Sequence, residues 1–200
     1  MNFLVTGTGR SGTKFVSQAL QEMGIKCGHE SVYTPRVARG GKSWDGDSSW
    51  FGVPHIVMGS PRPEHVVHVA RDPRRVLASR FSMGFGKYDR PALMAWRPDL
   101  FPAPLDGQAR LAWVCALYCA LIDGAEEISD ATFRIEDIVG AEAESFCAAL
   151  GYPDVDAGSL RELPRDIHAR RPSEWEDSFE WDSLPEEVLE RAGRLGYEVG

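Results

Sequence analysis

Short apolar runs along the chain predict four β-strands. Asn2–Thr6, His65–Ala70 and Ala131–Ile135 have the length and composition of buried strands. Ile25–Cys27 predicts a further, shorter strand between the first two.

Between these runs, apolar residues recur at helical spacing. This period predicts a helix over Thr13–Met23, which ends before Gly24. Asp72-Pro73 predicts the start of another helix, with Asp as N-cap and Pro at the first helical position. Further helices are predicted from Asp106 to about Glu127, over Ala141–Leu150, and after a capping box, Ser183-x-x-Glu186.

Strands that alternate with helices predict the α/β class with a mainly parallel sheet. The length of 200 residues fits a single domain over 1–200. Two segments, at about 31–63 and 83–105, show no sustained period, and long irregular segments in a compact domain usually have a function. In parallel sheets, ligands bind at the carboxyl ends of the strands.

Composition and charge restrict the class of protein. Apolar content of 43% and charged content of 26% are typical of a soluble globular chain. A net charge of −8 argues against bulk nucleic-acid binding, so we expect no nucleic-acid partner and a local anion site at most. We see no signal peptide and no apolar run long enough to span a bilayer. Four cysteines without a CxxC pair fit a reducing cytoplasm, and we expect a cytoplasmic protein without a membrane partner.

The segment GTGRSGTK, Gly7 to Lys14, is called the glycine-rich loop below. It matches the dinucleotide fingerprint GxGxxG, and Glu30 stands near the position of its ribose-binding acid. It also has the glycine spacing of GxxxxGK[ST], but with Thr13-Lys14 in inverted order. A third interpretation is a loop that binds a 5′-phosphate without being an ATPase loop. In each case a strand, a glycine-rich turn and a helix N-terminus form an anion site, to which basic and hydroxyl side chains add donors.

A second motif, HVARDPRRVLASRF, favours the third interpretation. Arg71 follows a predicted strand, and its guanidinium suits bidentate contact with a phosphate. Ser79 lies two turns along the following helix and can donate to the same anion. A nucleotide with separate 5′- and 3′-phosphates would need both motifs, whereas NAD, ATP and GTP carry no 3′-phosphate.

On these motifs the sequence resembles the PAPS-dependent sulfotransferases. RSGT, Arg10 to Thr13, resembles their 5′-phosphosulfate loop, although Lys14 replaces a common Thr. RDPRRVLAS, Arg71 to Ser79, resembles their 3′-phosphate motif, and FRIEDI, Phe133 to Ile138, the strand and acidic turn after their central helix. ARRPSEW, 169–175, is a weak counterpart of their C-terminal basic loop. The resemblance implies a three-layer sandwich of the P-loop NTPase-like sulfotransferase type, with PAPS as cofactor, PAP as product and no metal.

The resemblance also implies roles for individual residues. Arg10 would stabilise charge that develops on the 5′-phosphate side of the donor. Arg71 and Ser79 would hold the 3′-phosphate. Glu30 would be the general base, with His29 as its rival because imidazole also accepts a proton near neutral pH. The residues expected to hold the 5′-phosphate are Gly9, Arg10, Ser11, Gly12, Thr13 and Lys14.

The acceptor is expected to be a small molecule or a carbohydrate, bound between the two irregular segments. Aromatic candidates for its pocket are Tyr33, Trp44, Trp50, Phe51 and Trp96, and basic ones are Arg36, Arg39 and Lys42. For each of these side chains, ordinary packing or solvation is at least as good an explanation. The alternatives are a P-loop kinase of a small molecule that uses ATP and Mg²⁺, a non-catalytic nucleotide-binding module and, last, a Rossmann oxidoreductase.

Overall fold

The computed structural model describes residues 1–34, 43–83, 89–101, 107–162 and 181–199. Its sheet has five strands, and every pair of neighbouring strands is parallel. The spatial order is β2-β3-β1-β4-β5. The strands are β1 (Phe3–Thr6), β2 (Cys27–His29), β3 (Gly46–Ser48), β4 (His65–Ala70) and β5 (Ala131–Arg134). The expected α/β class with a parallel sheet is therefore confirmed.

Helices lie between β1 and β2, between β3 and β4, and between β4 and β5, and parallel strands need such crossover connections. The long apolar helix α5 follows β4 after two other helices, and the last helix, α9, packs against α5. The helices are α1 (Thr13–Glu22), α2 (Gly52–Val57), α3 (Pro73–Met83), α4 (Asp89–Trp96), α5 (Gly107–Ile128), α6 (Ile135–Ile138), α7 (Ala143–Ala149), α8 (Gly158–Glu162) and α9 (Glu186–Arg194). Among the helices described, none is long and apolar enough to cross a membrane.

The sheet separates two apolar layers, which makes the fold a three-layer α/β sandwich. Successive side chains of a strand point to opposite faces, so Phe3 and Val5 pack on one side of β1 and Leu4 on the other. The Phe3 side is covered by α1, α6, α7 and α8. The Leu4 side is covered by α2, α3, α4, α5 and α9. All three of these β1 side chains are fully buried.

The central strand β1 is a point at which the connections change sides. From β1 the chain continues into α1, on the Phe3 side of the sheet. From both of its neighbours, β3 and β4, the chain continues into helices on the Leu4 side. In open α/β sheets such a switch opens a crevice beyond the carboxyl ends of the strands, where ligands bind. The glycine-rich loop leaves β1 at this crevice.

Two expectations about local structure were wrong. The segments described as irregular contain regular elements, namely β3 and α2 within 31–63 and α4 within 83–105. The predicted capping box is not formed, because Pro185 occupies the N-cap position of α9 and Ser183 lies in a short 3₁₀ helix before it. Asp72, in contrast, caps α3 as predicted, since its Oδ1 accepts the Arg74 backbone N–H at 2.9 Å.

Candidate functional site: an anion-binding crevice

The glycine-rich loop turns sharply through left-handed backbone conformations before α1 begins. The φ angles are 66° at Gly9, 72° at Arg10 and 102° at Gly12. Glycine adopts such angles without a steric penalty, whereas Arg10 is strained there. A turn of this kind followed by a helix presents successive backbone N–H groups to one point, and the helix dipole adds to their positive potential. The loop therefore has the backbone geometry of an anion site.

Side chains of the loop divide between the interior and the surface. Lys14 is exposed in the first turn of α1, where an ammonium group can approach a bound anion. Thr13 is buried, and its carbonyl accepts the Ser48 hydroxyl of β3 at 2.7 Å. Ser11 is completely buried, and its hydroxyl has no hydrogen-bond partner among the described residues.

The two predicted anion motifs come together at Arg10. Arg71, at the end of β4, donates from Nη1 to the Arg10 carbonyl at 3.2 Å. The Arg10 guanidinium donates from Nε to the Ser79 hydroxyl on α3 at 2.8 Å. Arg74, in the first turn of α3, forms an ion pair with the capping Asp72 at 3.0 Å. Residues 61 and 69 positions apart in sequence therefore form one cluster at the crevice.

Arg80 is a functional candidate that the sequence analysis missed. Its side chain is only 6% exposed, donates to the Thr8 carbonyl at 3.3 Å and stacks on the Trp50 ring at 4.4 Å from the centroid. Burial lowers the pKa of Arg80 to about 10, so the guanidinium stays charged at neutral pH. In the sequence, the only feature that pointed to Arg80 was its position next to Ser79.

Glu30 and His29 lie at the end of β2, on the same edge of the sheet. Glu30 has a left-handed φ of 50°, and its backbone N–H donates to the Ser48 carbonyl at 3.3 Å. Its carboxylate is close enough to Arg80 to favour the charged form of that guanidinium. Burial is the main cause that lowers the pKa of His29; the Asp47 carboxylate opposes this shift, and Lys14 adds to it. His29 is therefore neutral at pH 7 and able to accept a proton.

Asp47, in the middle of β3, fixes the turn that follows Glu30. Its carboxylate is fully buried and accepts three backbone N–H groups at distances from 2.9 to 3.1 Å. Those donors are Ser31, Val32 and Tyr33. A carboxylate that receives three backbone N–H groups is well satisfied inside a protein. This second residue was also missed, because its strand was not predicted.

Most of the aromatic candidates are packing residues. Tyr33, Trp50 and Phe51 are buried, and the Tyr33 hydroxyl donates to the Pro61 carbonyl at 2.6 Å. Trp44 precedes β3 and therefore lies at the opposite, amino edge of the sheet, where it lines an open depression of about 410 Å³. Trp96 is half-buried against the apolar layer around α5. Arg36, Arg39, Lys42 and ARRPSEW, 169–175, lie outside the described residues.

Comparison of the chain with protein-family models, with curated proteins and with solved structures found no match.

Proposed function

We propose that this protein is a sulfotransferase that moves a sulfuryl group from PAPS to a hydroxyl or amine of a small-molecule or carbohydrate acceptor. The observation that carries the proposal is the meeting of two anion motifs at Arg10, through its carbonyl with Arg71 and through its guanidinium with Ser79. A nucleotide that carries phosphate only at its 5′ position would need only the glycine-rich loop. Two adjoining anion sites favour a nucleotide with phosphate groups on both its 5′ and 3′ positions.

The residues at the crevice suit this donor. The 5′ side would lie on the backbone N–H groups of the glycine-rich loop, with Lys14 exposed beside it. The 3′-phosphate would lie between Arg71 and Ser79, where a planar guanidinium and a hydroxyl can both donate. When bound, PAPS supplies an activated sulfuryl group. We expect no metal in this reaction.

For catalysis, the chain's main task would be to hold charges and hydrogen-bond donors in position. Arg10 would stabilise negative charge on the donor side of the bond that breaks, because a fixed cation at that point costs no reorganisation. Glu30 would accept the proton of the acceptor hydroxyl, and Arg80 keeps a positive charge near its carboxylate. His29 is the rival base, since burial keeps it neutral. Free thiols at all four cysteines support a cytoplasmic location for this activity.

Calorimetric titration with PAP, without metal, tests the nucleotide site. We expect PAP to bind the wild type, and Arg71→Ala to weaken it at least tenfold, because a lost hydrogen bond to a charged group costs about 1.5–3 kcal/mol. Arg75→Ala, which removes an exposed arginine from the following helix α3, is the matched control and should change the affinity less than twofold. Binding of ATP with Mg²⁺ but not of PAP would instead favour a kinase.

Transfer assays on two variants identify the base. With ³⁵S-labelled PAPS and a panel of phenols and sugars as acceptors, we expect Glu30→Gln to lower the transfer rate at least a hundredfold, the size typical of a lost general base. His29→Gln should lower it less than fivefold, and both variants should bind PAP like the wild type. A large loss in His29→Gln alone would assign the base to His29. PAP binding with no transfer to any acceptor would favour a non-catalytic module.

A further inference from the structure

Arg80 is enclosed between the glycine-rich loop and Trp50. A Cβ added to Gly9 would stand 2.2 Å from Arg80 Nη2 and 2.9 Å from the Trp50 ring. The guanidinium therefore packs against the bare backbone of Gly9 on one side and stacks on the indole on the other. It also donates to the carbonyl of Thr8, the residue before. One buried side chain thus holds two consecutive residues of the loop.

The charge of Arg80 is not balanced by a direct ion pair in the described parts of the chain. No carboxylate there lies within 4.0 Å of the guanidinium, although Glu30 and Asp89 act on it from farther away. Arg10 is a like charge nearby and disfavours the charged form of Arg80. Buried charges are usually paired, so a buried cation beside a second cation attracts an anion to the same place.

We infer that Arg80 is a positioning residue for the glycine-rich loop, which keeps Thr8 and Gly9 in the conformation that binds an anion and supplies positive potential from behind the loop. This inference rests on the proposed function, because it assigns the anion to the 5′ side of PAPS or PAP. Arg80 does not itself contact the nucleotide. It acts through the backbone of the loop.

Arg80→Met tests the inference, since methionine keeps an apolar chain over Trp50 but removes the charge and the bond to Thr8. Hydrogen exchange in the ligand-free protein should be at least tenfold faster at the amides of residues 7–12, with no change in β1 and β4. PAP affinity, measured by calorimetry, should fall at least tenfold. Arg75→Met loses the same charge from an exposed position on α3 and is the matched control, expected to change neither quantity more than twofold.

The outcomes separate this inference from the proposed function. If the wild type binds PAP and Arg80→Met changes neither the loop exchange nor the affinity, Arg80 is not a positioning residue and the proposed function stands. If the wild type does not bind PAP, the proposed function fails, and the effect on loop exchange still decides whether Arg80 holds the loop. Faster exchange throughout the sheet would show general destabilisation and would overturn the inference.

Should Arg80→Met not fold, Trp50→Leu tests the same contact. This change removes the ring on which the guanidinium stacks and leaves the charge of Arg80 in place. We expect faster exchange at residues 7–12 and a PAP affinity that falls three- to tenfold. An unchanged loop and an unchanged affinity would overturn the inference.

Discussion

Gly9 is subject to two separate constraints, one of backbone conformation and one of space. Its φ of 66° is left-handed, where a residue with a Cβ loses roughly 1–2 kcal/mol. The position of that Cβ is already taken by the guanidinium of Arg80 and the ring of Trp50. Gly24 shares only the first constraint, because its φ is 81° and no atom lies within 4 Å of its Cβ position.

Comparing Gly9→Ala with Gly24→Ala therefore separates strain from steric exclusion. We expect Gly24→Ala to lower the free energy of unfolding by about 1 kcal/mol, since strain is partly offset by a stiffer unfolded chain. Gly9→Ala should lower it by about 3 kcal/mol, because overpacking adds roughly 1–3 kcal/mol. Urea denaturation followed by circular dichroism measures both. Equal effects would show that Arg80 and Trp50 move aside freely.

At the residue scale, the sequence indicated the parts of the site that lie within short motifs. The glycine spacing predicted the loop, and Arg71 with Ser79 was expected to form a separate phosphate site at the end of another strand. Arg80 and Asp47 could not be assigned in this way, because their roles depend on burial and on partners far along the chain. Asp47 receives N–H groups from residues 14 to 16 positions earlier. No local sequence pattern predicts such contacts.

At the element scale, prediction succeeded where the apolar period was strong. β1, β4, β5, α1 and α5 were predicted close to their observed bounds, and α3 begins at the predicted residue. β3 was missed because Gly46-Asp47-Ser48 has no β-forming residue, and pairing with strands on both sides determines its conformation. Gly46 is required there because the ring of Phe3 fills the space beside it.

The helix α3 contributes to the site through two consecutive residues. Neighbouring positions of a helix project about 100° apart, so Ser79 and Arg80 cannot face the same way. Ser79 accepts from the side chain of Arg10, whereas Arg80 reaches Thr8 and Trp50. A single element therefore contacts the glycine-rich loop at two points, which is more than the Arg-to-Ser spacing of the motif predicts.

At the scale of the whole molecule, a chain with a net charge of −8 gathers positive charge at one edge of its sheet. Arg10, Arg71 and Arg80 come from the glycine-rich loop, the end of β4 and α3, and they meet beyond β1 and β4. A local positive region on an acidic protein concentrates small anions there. The topology brings this about, since β1 is the strand at which the connections change sides.

The stability of the whole fold is also linked to one titratable group inside the sheet. His68, in β4, is completely buried, with Nδ1 3.3 Å from the Thr132 hydroxyl and no partner for Nε2 in the described part of the chain. Burial lowers the pKa of His68 to about 4, against about 6.5 in the unfolded chain. Between these values the unfolded state binds more protons, so stability falls as pH falls from 6.5 towards 4.

Replacing His68 should therefore flatten the pH dependence of unfolding. In the wild type, the neutral buried imidazole makes stability at pH 5 about 2 kcal/mol lower than at pH 7, in addition to the effect of other groups. We expect His68→Gln to remove that part of the change, whatever its effect at pH 7. His65→Gln, at the half-buried start of the same strand, is the control and should keep the wild-type dependence.

Urea denaturation at intervals from pH 4.5 to 7.5 measures the slopes, and NMR of the His68 ring reports its titration directly. A ring that titrates near pH 6.5, or equal slopes in the wild type and His68→Gln, would show that the charged imidazole is accommodated in the sheet, which its complete burial argues against.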